Sequence, residues 1–501
     1  MTVGPSYAEF VALTAKGNFI PLYQQLVADM DTPVSAWERV GRGQAYSFLL
    51  ESVEGGEKLG RYSLVGCDPL WWLEARGGIT TQTFRDGRVI QHQGNPFTIL
   101  KHCLSGIKPV TLPELPPSLA GLVGFWGYEL IQWIEPRVPV FPCRPDDLPD
   151  GLWMQVDSLL VFDQIKRTIW AIVYADVSNS DPRSAYESAS SRLARLIHQF
   201  QQPLAQANRV FPWQAHPPTP YHSNQTPAQF QSAVAKAKEY IWAGDIFQVV
   251  LSQRLTSPFR GDPFQLYRSL RVINPSPYMA YLHFHNWQMI GSSPEVMVKA
   301  EWQAGKLQAT VRPIAGTRPR GATPDQDQAL AQELLNDPKE IAEHIMLVDL
   351  GRNDLGRVCR AGTVQVDELM TIEKYSHVMH IVSNVRGELA PNCDAWDLLQ
   401  ACFPAGTVSG APKIRAMEII YELEKDRRSA YSGCYGYYDF SGQLHTAITI
   451  RTMIVRGEEV SVQAGAGIVA DSLPANEYQE TLNKAKALLE ALRYTSRTNA
   501  T

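Results

Sequence analysis

The amino-acid sequence predicts an α+β protein whose strands form antiparallel sheets. Between residues 20 and 175, short apolar or alternating runs are separated by glycine and proline, a pattern typical of antiparallel strands joined by turns. From residue 226 onward, segments with helical spacing of apolar residues alternate with strands of period two. Because the chain has 501 residues, of which 45% are hydrophobic, it can bury a large core or two to three domains.

The composition and the start of the sequence argue against several classes of protein. The formal net charge is -5 and no long basic run is present, so we expect neither a nucleic acid nor a membrane as partner. The first residues, MTVGPSYAEF, lack the basic and apolar parts of a signal peptide, and no apolar run long enough to span a bilayer follows. We therefore expect a cytoplasmic protein. Its seven cysteines show no CxxC spacing, which argues against a disulfide framework and against a zinc site.

The N-terminal part is predicted to consist mostly of strands. The runs AYSFLLES, RYSLVG, SLLVFD and TIWAIVYA have the apolar and β-branched content of strands. A helix is predicted from about Asp181 to Phe200. Residues 201–225 are rich in proline and glutamine, which indicates a linker or a surface excursion. The predicted division is an N-terminal domain of residues 1–200, that connecting segment, and a C-terminal domain of residues 226–495.

The C-terminal part begins with a predicted helix that Thr226 caps and Pro227 opens, and the strand DIFQVVLSQRL follows it. Further on, HTAITIRTMIV is predicted to be one strand that buries isoleucines on one face and shows Arg451 on the other. An arginine in that position can bind a carboxylate through two parallel hydrogen bonds. The next strand, VQAGAGIVADS, contains Gly465 and Gly467, which either let another group approach the backbone closely or mark a bulge.

A pair of carboxylates lies on a predicted helix in the segment NDPKEIAEHIMLVDLGRND. Asn336 or Asp337 can cap this helix, and Pro338 suits its first turn because no backbone donor is needed there. Glu340 and Glu343 are three residues apart and therefore project from one helix face. The plainest interpretation of such a pair is a solvated acidic face. A zinc protease is a second interpretation, because EIAEH resembles HxxEH, but the first histidine is missing and carboxylates favour a hard cation.

A second predicted helix, in DSLPANEYQETLNKAKALLEALR, repeats this spacing. Glu477 and Glu480 again share a face, and Lys484 lies one turn further along it. Two such helices could contribute to one site. Two carboxylate pairs with water would give the oxygen-rich shell that Mg²⁺ prefers, and open coordination positions could take an anionic substrate. The sequence therefore predicts a magnesium site formed by Glu340, Glu343, Glu477 and Glu480.

Seven segments of the C-terminal part together resemble the chorismate-utilising enzymes. They are GSSPE, RPIAGTRPRG, EIAEHIMLVDLGRNDLGRV, YSHVMHIVSNVRGEL, GTVSGAPKIRAMEII, TAITIRT and QAGAGIVADS, in that order. The resemblance covers nearly all of residues 226–490 and is strongest to the members that form anthranilate. It implies the family fold, in which two orthogonally packed antiparallel sheets are flanked by helices and the active site lies in a cleft between them. It also implies that the four glutamates hold magnesium.

The resemblance also implies roles for individual residues. Chorismate carries two carboxylates, so magnesium would hold the ring carboxylate and a second group of residues would hold the enolpyruvyl carboxylate. The residues implied for that second group, or for positions near it, are Tyr431, Arg451, Gly465, Gly467 and Lys484. Thr407 and His380 match further positions of the site, and His380 is expected to donate a proton to the departing ring hydroxyl. A lone histidine is otherwise more often structural than catalytic.

Two positions separate the reactions of this family. Enzymes that add water carry a lysine base where this chain has Gln248, and aminodeoxychorismate synthases carry a nucleophilic lysine where it has Ala315. Because both lysines are missing, the resemblance implies that ammonia attacks chorismate directly and that loss of pyruvate then yields anthranilate. An aminodeoxychorismate synthase or an isochorismate synthase on the same scaffold is an alternative. A non-catalytic subunit that binds tryptophan is another.

Two further segments resemble the pocket in which tryptophan inhibits members of this family. They are FLLESVEGGEKLGRYS and NPSPYM, and the residues implied for the pocket are Glu51, Ser52, Lys58, Pro275, Tyr278 and Met279. LLES alone would indicate only the end of a strand followed by an acidic turn. Because both segments are present, tryptophan is expected as an inhibitor. Residues 1–200 are accordingly predicted to be the regulatory domain and residues 226–495 the chorismate-binding catalytic domain.

No source of ammonia is recognisable in the sequence. A glutamine amidotransferase needs a nucleophilic cysteine in a GxCxG turn. The nearest segment, SGCYG around Cys434, has serine in place of the first glycine and lies within the synthase motifs. The resemblance therefore implies a separate glutamine amidotransferase subunit that delivers ammonia, and hence a hetero-oligomer.

Overall fold

A computed structural model describes residues 3–27, 29–53, 61–117, 119–205, 213–375 and 378–495. Lys58, expected in the tryptophan pocket, lies outside these residues. Within them the α-helices are α1 Tyr7–Leu13, α2 Pro33–Val40, α3 Pro96–Leu104, α4 Ile131–Ile134, α5 Pro182–Gln201, α6 Pro227–Trp242, α7 Pro263–Ile273, α8 Pro324–Asn336, α9 Pro338–Gly356, α10 Ala395–Cys402, α11 Lys413–Leu423 and α12 Pro474–Ala491.

The strands run through the whole described chain. They are β1 Phe19–Val27, β2 Tyr46–Glu51, β3 Tyr62–Cys67, β4 Trp71–Arg76, β5 Ile79–Phe84, β6 Val89–Gln93, β7 Ala120–Trp126, β8 Gly151–Gln155, β9 Ser158–Asp163, β10 Thr168–Asp176, β11 His222–Ser223, β12 Gln248–Pro258, β13 Tyr278–Phe284, β14 Trp287–Ser293, β15 Val296–Gln303, β16 Lys306–Val311, β17 Ile314–Pro319, β18 Gln365–Lys374, β19 Val378–Glu388, β20 Gly410–Ala411, β21 Cys434–Asp439, β22 Leu444–Ile448, β23 Thr452–Arg456 and β24 Glu459–Ile468.

These strands form two large antiparallel sheets. The first has the order β1-β10-β9-β3-β2-β13-β14-β23-β24-β12-β11, with β20 paired to β12. The second has the order β17-β19-β16-β15-β22-β21-β7-β8-β4-β5-β6, with β18 paired to β19. The predicted fold class, antiparallel sheets flanked by helices, is confirmed. Each sheet takes strands from both sides of residues 201–225, and the proposed division into a regulatory and a catalytic domain stays a prediction.

The helix boundaries follow the capping signals of the sequence. Asp181 accepts hydrogen bonds from two backbone N–H groups at the start of α5, and Thr226 forms a reciprocal capping box at the start of α6. Asp337, rather than Asn336, caps α9, where its side chain accepts from the backbone N–H groups of Lys339 and Glu340. A side-chain cap of this kind is worth about 1 kcal/mol.

Four short helices of the N-terminal part, α1 to α4, were not predicted. The helix α2 begins after Thr32 with proline in its first turn, and α3 begins after Asn95 in the same way. Both capping signals are present in the sequence. Strand-like runs on either side obscured them, because helices of eight or nine residues contain little more than two turns.

The structure corrects one strand prediction that bears on the site. HTAITIRTMIV is not one strand: β22 ends at Ile448 in the second sheet, and β23 begins at Thr452 in the first sheet. The chain passes from one sheet to the other at residues 449–451, where Arg451 has a φ of 49°. This left-handed conformation is costly for a residue with a side chain, so the surrounding structure must hold Arg451 in place.

Two helices that carry predicted ligands pack beside strands of different sheets. The helix α9 packs against β17 of the second sheet, and α12 packs against β24 of the first sheet. Ala485 and Leu488 anchor α12 in the core, where Leu488 is fully buried. Burying such an aliphatic side chain contributes about 1.5–3 kcal/mol. In the described ranges we find no helix with the length and apolar character needed to cross a bilayer.

Candidate active site

A cavity of about 570 Å³ lies between α9, α12 and the ends of strands from both sheets. It gathers all the residues predicted for catalysis, substrate binding and metal binding. They are Gln248, Glu340, Glu343, His380, Thr407, Tyr431, Arg451, Gly465, Gly467, Glu477, Glu480 and Lys484. These residues are separated by as many as 236 positions in the sequence, from 248 to 484, so their convergence is a property of the fold.

The first carboxylate pair lies on the opening turns of α9. Glu340 is half-buried and accepts a hydrogen bond of 3.3 Å from the guanidinium of Arg318. Burial raises its pKa, and the neighbouring carboxylate of Glu343 raises it further. Glu343 accepts a hydrogen bond of 2.8 Å from Nε2 of Gln248. The two carboxylates therefore face the cavity from one helix face, as their spacing predicted.

The second pair lies on α12, across the cavity from the first. Burial raises the pKa of Glu477, and the charge of Glu480 raises it further. Glu480 forms an ion pair of 2.8 Å with Nζ of Lys484. Lys484 also donates a hydrogen bond of 3.1 Å to the backbone carbonyl of Gly465. The lysine thus links α12 to the strand that carries both glycines.

The carboxylates of the two pairs together form a set of oxygen ligands that fits a magnesium ion. Its side-chain donors are carboxylate oxygens, which Mg²⁺ prefers, and the carboxylates repel one another in a partly buried site. A divalent cation would relieve that repulsion. Among the described residues, however, no three His, Cys, Asp or Glu side chains lie close enough together to hold an ion. Magnesium at these carboxylates is therefore a proposal and not an observation.

Beside Glu480 the cavity also carries positive charge, from Lys484 and Arg451. Nη1 of Arg451 donates a hydrogen bond of 2.7 Å to the backbone carbonyl of Lys484, which fixes the arginine beside the lysine. Tyr431 lies next to them, and a Cβ atom added at Gly465 would come within 2.5 Å of its phenol oxygen. A Cβ atom at Gly467 would come within 2.7 Å of Nε2 of Gln248. The ladder between β12 and β24 is regular at both glycines, so they permit close approach and are not a bulge.

His380 lies on β19 with one ring nitrogen already occupied. Its Nδ1 is 3.0 Å from the carbonyl oxygen of Gly316 and 3.1 Å from Oγ1 of Thr317. The carbonyl oxygen can only accept, so Nδ1 carries a proton and Nε2 is the atom that gains or loses one. Burial lowers the pKa of His380, and the charge of Arg451 lowers it further. The surroundings of the ring therefore favour its neutral form in the free protein.

The two residues that distinguish the reactions of the family also lie here. The amide nitrogen of Gln248 is committed to Glu343, and its Oε1 is buried with no hydrogen-bond donor within reach among the described residues. Ala315 lines the cavity and presents only a methyl group to it. The cavity thus holds an amide oxygen acceptor at one of these positions and no reactive group at the other.

Sequence reasoning missed Glu295, which is the last residue of the GSSPE segment. Its carboxylate lines the cavity and accepts a hydrogen bond of 2.9 Å from the hydroxyl of Thr407. Burial raises its pKa, whereas Thr407, Lys484 and Arg451 all lower it. Because a single carboxylate after proline has no periodic partner, spacing alone could not find it. Lys339 and Asn483 also line the cavity and were not predicted.

Of the residues expected to bind tryptophan, Glu51 and Met279 lie side by side in the first sheet. Glu51 on β2 is paired directly with Met279 on β13. The buried carboxylate of Glu51 accepts hydrogen bonds from Tyr267 and, at 2.9 Å, from Nε of Arg271. The hydroxyl of Ser52 is buried and has no hydrogen-bond partner among the described residues. The two sequence segments therefore meet, with one polar group left for a ligand.

The segments that hold Pro275 and Tyr278 complete this region. The backbone N–H of Val53 donates a 3.3 Å hydrogen bond to the carbonyl of Ser276, which ties the end of β2 to the segment NPSPYM. The carbonyl of Tyr278 accepts a 2.7 Å hydrogen bond from the phenol of Tyr435. Which of these residues touch tryptophan stays a prediction.

Cys434, the one candidate for an amidotransferase nucleophile, has the wrong surroundings. It lies fully buried on β21, and burial raises the pKa of its thiol to about 12. A thiol with such a pKa stays protonated at neutral pH and is a poor nucleophile. We therefore assign Cys434 to the core.

A cleft that holds carboxylates together with fixed cations, between two antiparallel sheets, is suited to a small anionic substrate. A family model described as chorismate binding enzyme matches residues 61–490 of this chain. The chain belongs to this family of chorismate-binding enzymes.

Its relatives within that family include anthranilate synthases. It is 63% identical to anthranilate synthase component 1 of Synechocystis sp. over 98% of this chain and 99% of the relative. It is 45% identical to the Pseudomonas putida protein of the same name, over 98% and 99%. Among solved structures, anthranilate synthase component I from Streptococcus pneumoniae matches with a TM-score of 0.76 and 37% identity, covering 93% of this chain and 99% of that one.

Proposed function

We propose that this chain converts chorismate and ammonia to anthranilate and pyruvate. The observation that supports this most is a single cavity in which two carboxylate pairs face a fixed arginine and lysine. Chorismate has a carboxylate on its ring and another on its enolpyruvyl group. A magnesium ion held by the four glutamates would bind and polarise the ring carboxylate. Arg451, Tyr431 and Lys484 would hold the enolpyruvyl carboxylate at the other end.

The first chemical step replaces the ring hydroxyl by an amino group. The nitrogen lone pair of ammonia forms a bond to the ring, and the ring hydroxyl leaves with a proton from Nε2 of His380. Because the free protein favours the neutral form of His380, the ring must gain a proton when substrate binds. The two negative charges of chorismate favour that protonation, since they stabilise the imidazolium. The product of this step is 2-amino-2-deoxyisochorismate.

The second step forms the aromatic ring. The bond between the ring and the enolpyruvyl oxygen breaks as a base removes the proton from the ring carbon that bears the amino group. The electron pair of that C–H bond completes the aromatic ring, and the group leaves as enolpyruvate, which takes up a proton on its methylene carbon to become pyruvate. The carboxylate of Glu295 accepts the hydrogen bond of Thr407 and feels the positive charges of Lys484 and Arg451, so it adds negative charge beside these cations. Both steps fit a substrate held at two ends with one acid or base beside it.

The surroundings of Gln248 favour ammonia over water as the nucleophile. Its free amide oxygen can accept a hydrogen bond from an N–H of ammonia, but it is too weak a base to take a proton from water. Ala315 supplies no nucleophile for a covalent route. These two positions argue against an isochorismate synthase and an aminodeoxychorismate synthase. The complete set of cavity residues argues against a non-catalytic tryptophan-binding subunit.

The nitrogen source provides a direct test of the proposal. With no nucleophilic cysteine in a suitable setting, the isolated chain is expected to form anthranilate from ammonium salt at raised pH, where free ammonia is more abundant. It is expected to fail with glutamine alone. Adding the cognate glutamine amidotransferase subunit should restore glutamine use at neutral pH. Fluorescence of anthranilate measures all three reactions.

Alkylation of the partner's cysteine is the matched control. It should remove the glutamine reaction and leave the ammonium reaction unchanged, because the two nitrogen sources differ only in the partner. Anthranilate from glutamine with this chain alone would contradict the two-subunit proposal and would bring Cys434 back as a nucleophile.

Tryptophan is proposed as a feedback inhibitor that binds near Glu51 and Ser52. Ser52→Phe would fill the space next to the buried, unbonded hydroxyl and should abolish tryptophan inhibition, with little change in turnover when tryptophan is absent. Ser52→Ala, which keeps the space, should weaken inhibition by less. Calorimetry with tryptophan and rate measurements at fixed chorismate test both variants. If the unmodified chain takes up no tryptophan, the regulatory proposal is wrong.

A further inference from the structure

A second cavity lies end to end with the substrate cavity. It has a volume of about 330 Å³ and shares Tyr431 and Gln463 with the substrate cavity. Residues paired across β12 and β24 have side chains on the same face of the sheet. Three successive pairs lie along one face: Val250 with Gly467, Ser252 with Gly465, and Arg254 with Gln463. The substrate cavity is lined by residues of the first two pairs, and the second cavity begins at the third pair.

The two cavities meet at Tyr431 and Gln463. Nε2 of Gln463 donates a hydrogen bond of 2.9 Å to Oγ of Ser252, which holds the amide beside the phenol. Tyr431 belongs to the end of the substrate cavity where the proposed function places the enolpyruvyl carboxylate. A group released from that end therefore lies next to the opening of the second cavity.

The inner part of the second cavity offers hydrogen-bond donors. Within the described ranges, the guanidinium of Arg254 has only distant partners, the carbonyl of Arg427 at 3.4 Å and the carboxylate of Asp426 at 3.7 Å. The hydroxyl of Thr449 is buried with no hydrogen-bond partner in the described part of the chain. Together with the amide of Gln463, these groups suit a small carboxylate.

Two acidic residues of this cavity lie at its outer part. Glu459 is opposite Arg456 and Pro258, at the far ends of the strand pairs. Asp146 lies there as well, because its backbone carbonyl accepts a hydrogen bond from Arg456. Asp147 also lines the cavity and pairs with Arg427 at 3.7 Å. The donors of Arg254, Thr449 and Gln463 thus lie on the side of the substrate cavity, and Glu459 with Arg456 lies at the far end.

We propose that the second cavity is the path by which pyruvate leaves. This inference rests on the proposed function, because it takes the enolpyruvyl group to be held at Tyr431 and Arg451. When the bond to the ring breaks, the pyruvate carboxylate is one residue pair away from Gln463 and Arg254. The anthranilate carboxylate lies at the opposite end, beside the glutamates. Ammonium, a cation, is disfavoured by the arginine at the inner opening.

Ser461→Trp tests the path by filling the second cavity with an indole. Ser461 is half-buried and lines the second cavity but not the substrate cavity. It lies on β24, where it is paired with Thr256 on β12 and Ile454 on β23. With ammonium as nitrogen source, anthranilate formed in the first turnover should appear at the unmodified rate. Later turnovers should be slower by at least about fivefold, because release of pyruvate limits them. Ser461→Ala is the matched control and should behave as the unmodified protein.

Rapid mixing with fluorescence detection measures anthranilate, and lactate dehydrogenase with NADH measures free pyruvate. The expected result is a burst of one anthranilate per site followed by a slow phase in which pyruvate appears. Unchanged later turnovers in Ser461→Trp would overturn the proposal. A slowed first turnover that higher ammonium restores would also overturn it and would make the cavity the path of ammonia. If the unmodified protein forms neither product, the proposed function has failed instead.

Arg254→Gln provides a second test that does not depend on filling the cavity. Removing the charge should raise the inhibition constant of added pyruvate by roughly tenfold, which is the loss expected for one hydrogen bond to a charged group. The first turnover should stay unchanged, because Arg254 is not among the residues that line the substrate cavity. An unchanged inhibition constant would contradict a carboxylate-binding role for this cavity.

Discussion

Glu343→Gln is expected to lower turnover of chorismate by roughly 10³-fold, equivalent to about 4 kcal/mol of lost transition-state stabilisation. The amide removes one negative charge from the proposed magnesium site. Its side-chain oxygen can still accept the hydrogen bond from Gln248, so the fold should be preserved. Glu480→Gln on α12 should have an effect of the same order, because both helices contribute carboxylates to one cavity.

The control for this prediction is Glu490→Gln. Glu490 lies on the same helix as Glu480 and pairs with Arg493 at 2.8 Å, and it is not among the residues that line the cavity. Its replacement should leave turnover unchanged. Rates measured against magnesium concentration, and calorimetric titration of magnesium into each variant, separate loss of the metal from loss of the fold. Normal activity and normal magnesium binding in Glu343→Gln would remove these carboxylates from the site.

His380→Ala is expected to lower turnover by roughly 10²- to 10⁴-fold, the usual range for loss of a general acid. The Michaelis constant for chorismate should change far less, because the substrate is held by groups at the two ends of the cavity. Thr371→Val is the matched control, since Thr371 lies on β18 opposite the same strand and bonds the carbonyl of Val382 away from the cavity. A loss smaller than about tenfold would return His380 to a structural role.

The protonation of His380 can be measured separately from turnover. The pKa of His380 lies below the ordinary histidine value in the free protein, because burial and the charge of Arg451 both disfavour the imidazolium. A bound dianionic substrate analogue should raise that pKa, so the ring stays protonated to higher pH than in the free protein. Nitrogen-15 NMR titration of labelled histidine, with and without the analogue, detects this change. A pKa that falls on binding would contradict the role of proton donor.

Much of the site could be predicted from the sequence because its ligands obey local rules. Spacing alone places Glu340 and Glu343 on one face of a helix, and it does the same for Glu477 and Glu480. The capping residues also follow a local rule: Asp337 marks the start of α9, and Thr226 marks the start of α6. Apolar and alternating runs likewise predicted strands of the first sheet, whereas in the second sheet only β22 was predicted, as part of a longer strand. The assignment of His380 and Arg451 depended on the family resemblance, because one histidine or one arginine has no pattern of its own.

Other features depend on contacts that no local pattern records. The passage from β22 to β23 was missed because HTAITIRTMIV keeps its two-residue period across residues 449–451, with no glycine or proline to mark the change of sheet. Glu295 was missed because its partner, Thr407, is 112 positions away. The second cavity arises from the pairing of β12 with β24 and from residues 146–148, which come together only in the folded chain.

The most direct test of the proposed reaction is product analysis. The purified chain is incubated with chorismate, magnesium and ammonium salt, and anthranilate and pyruvate are quantified together. The proposal predicts both products in equal amounts, with no activity when magnesium is removed. Isochorismate, or aminodeoxychorismate without pyruvate, would contradict it and would assign a different reaction to the same cavity.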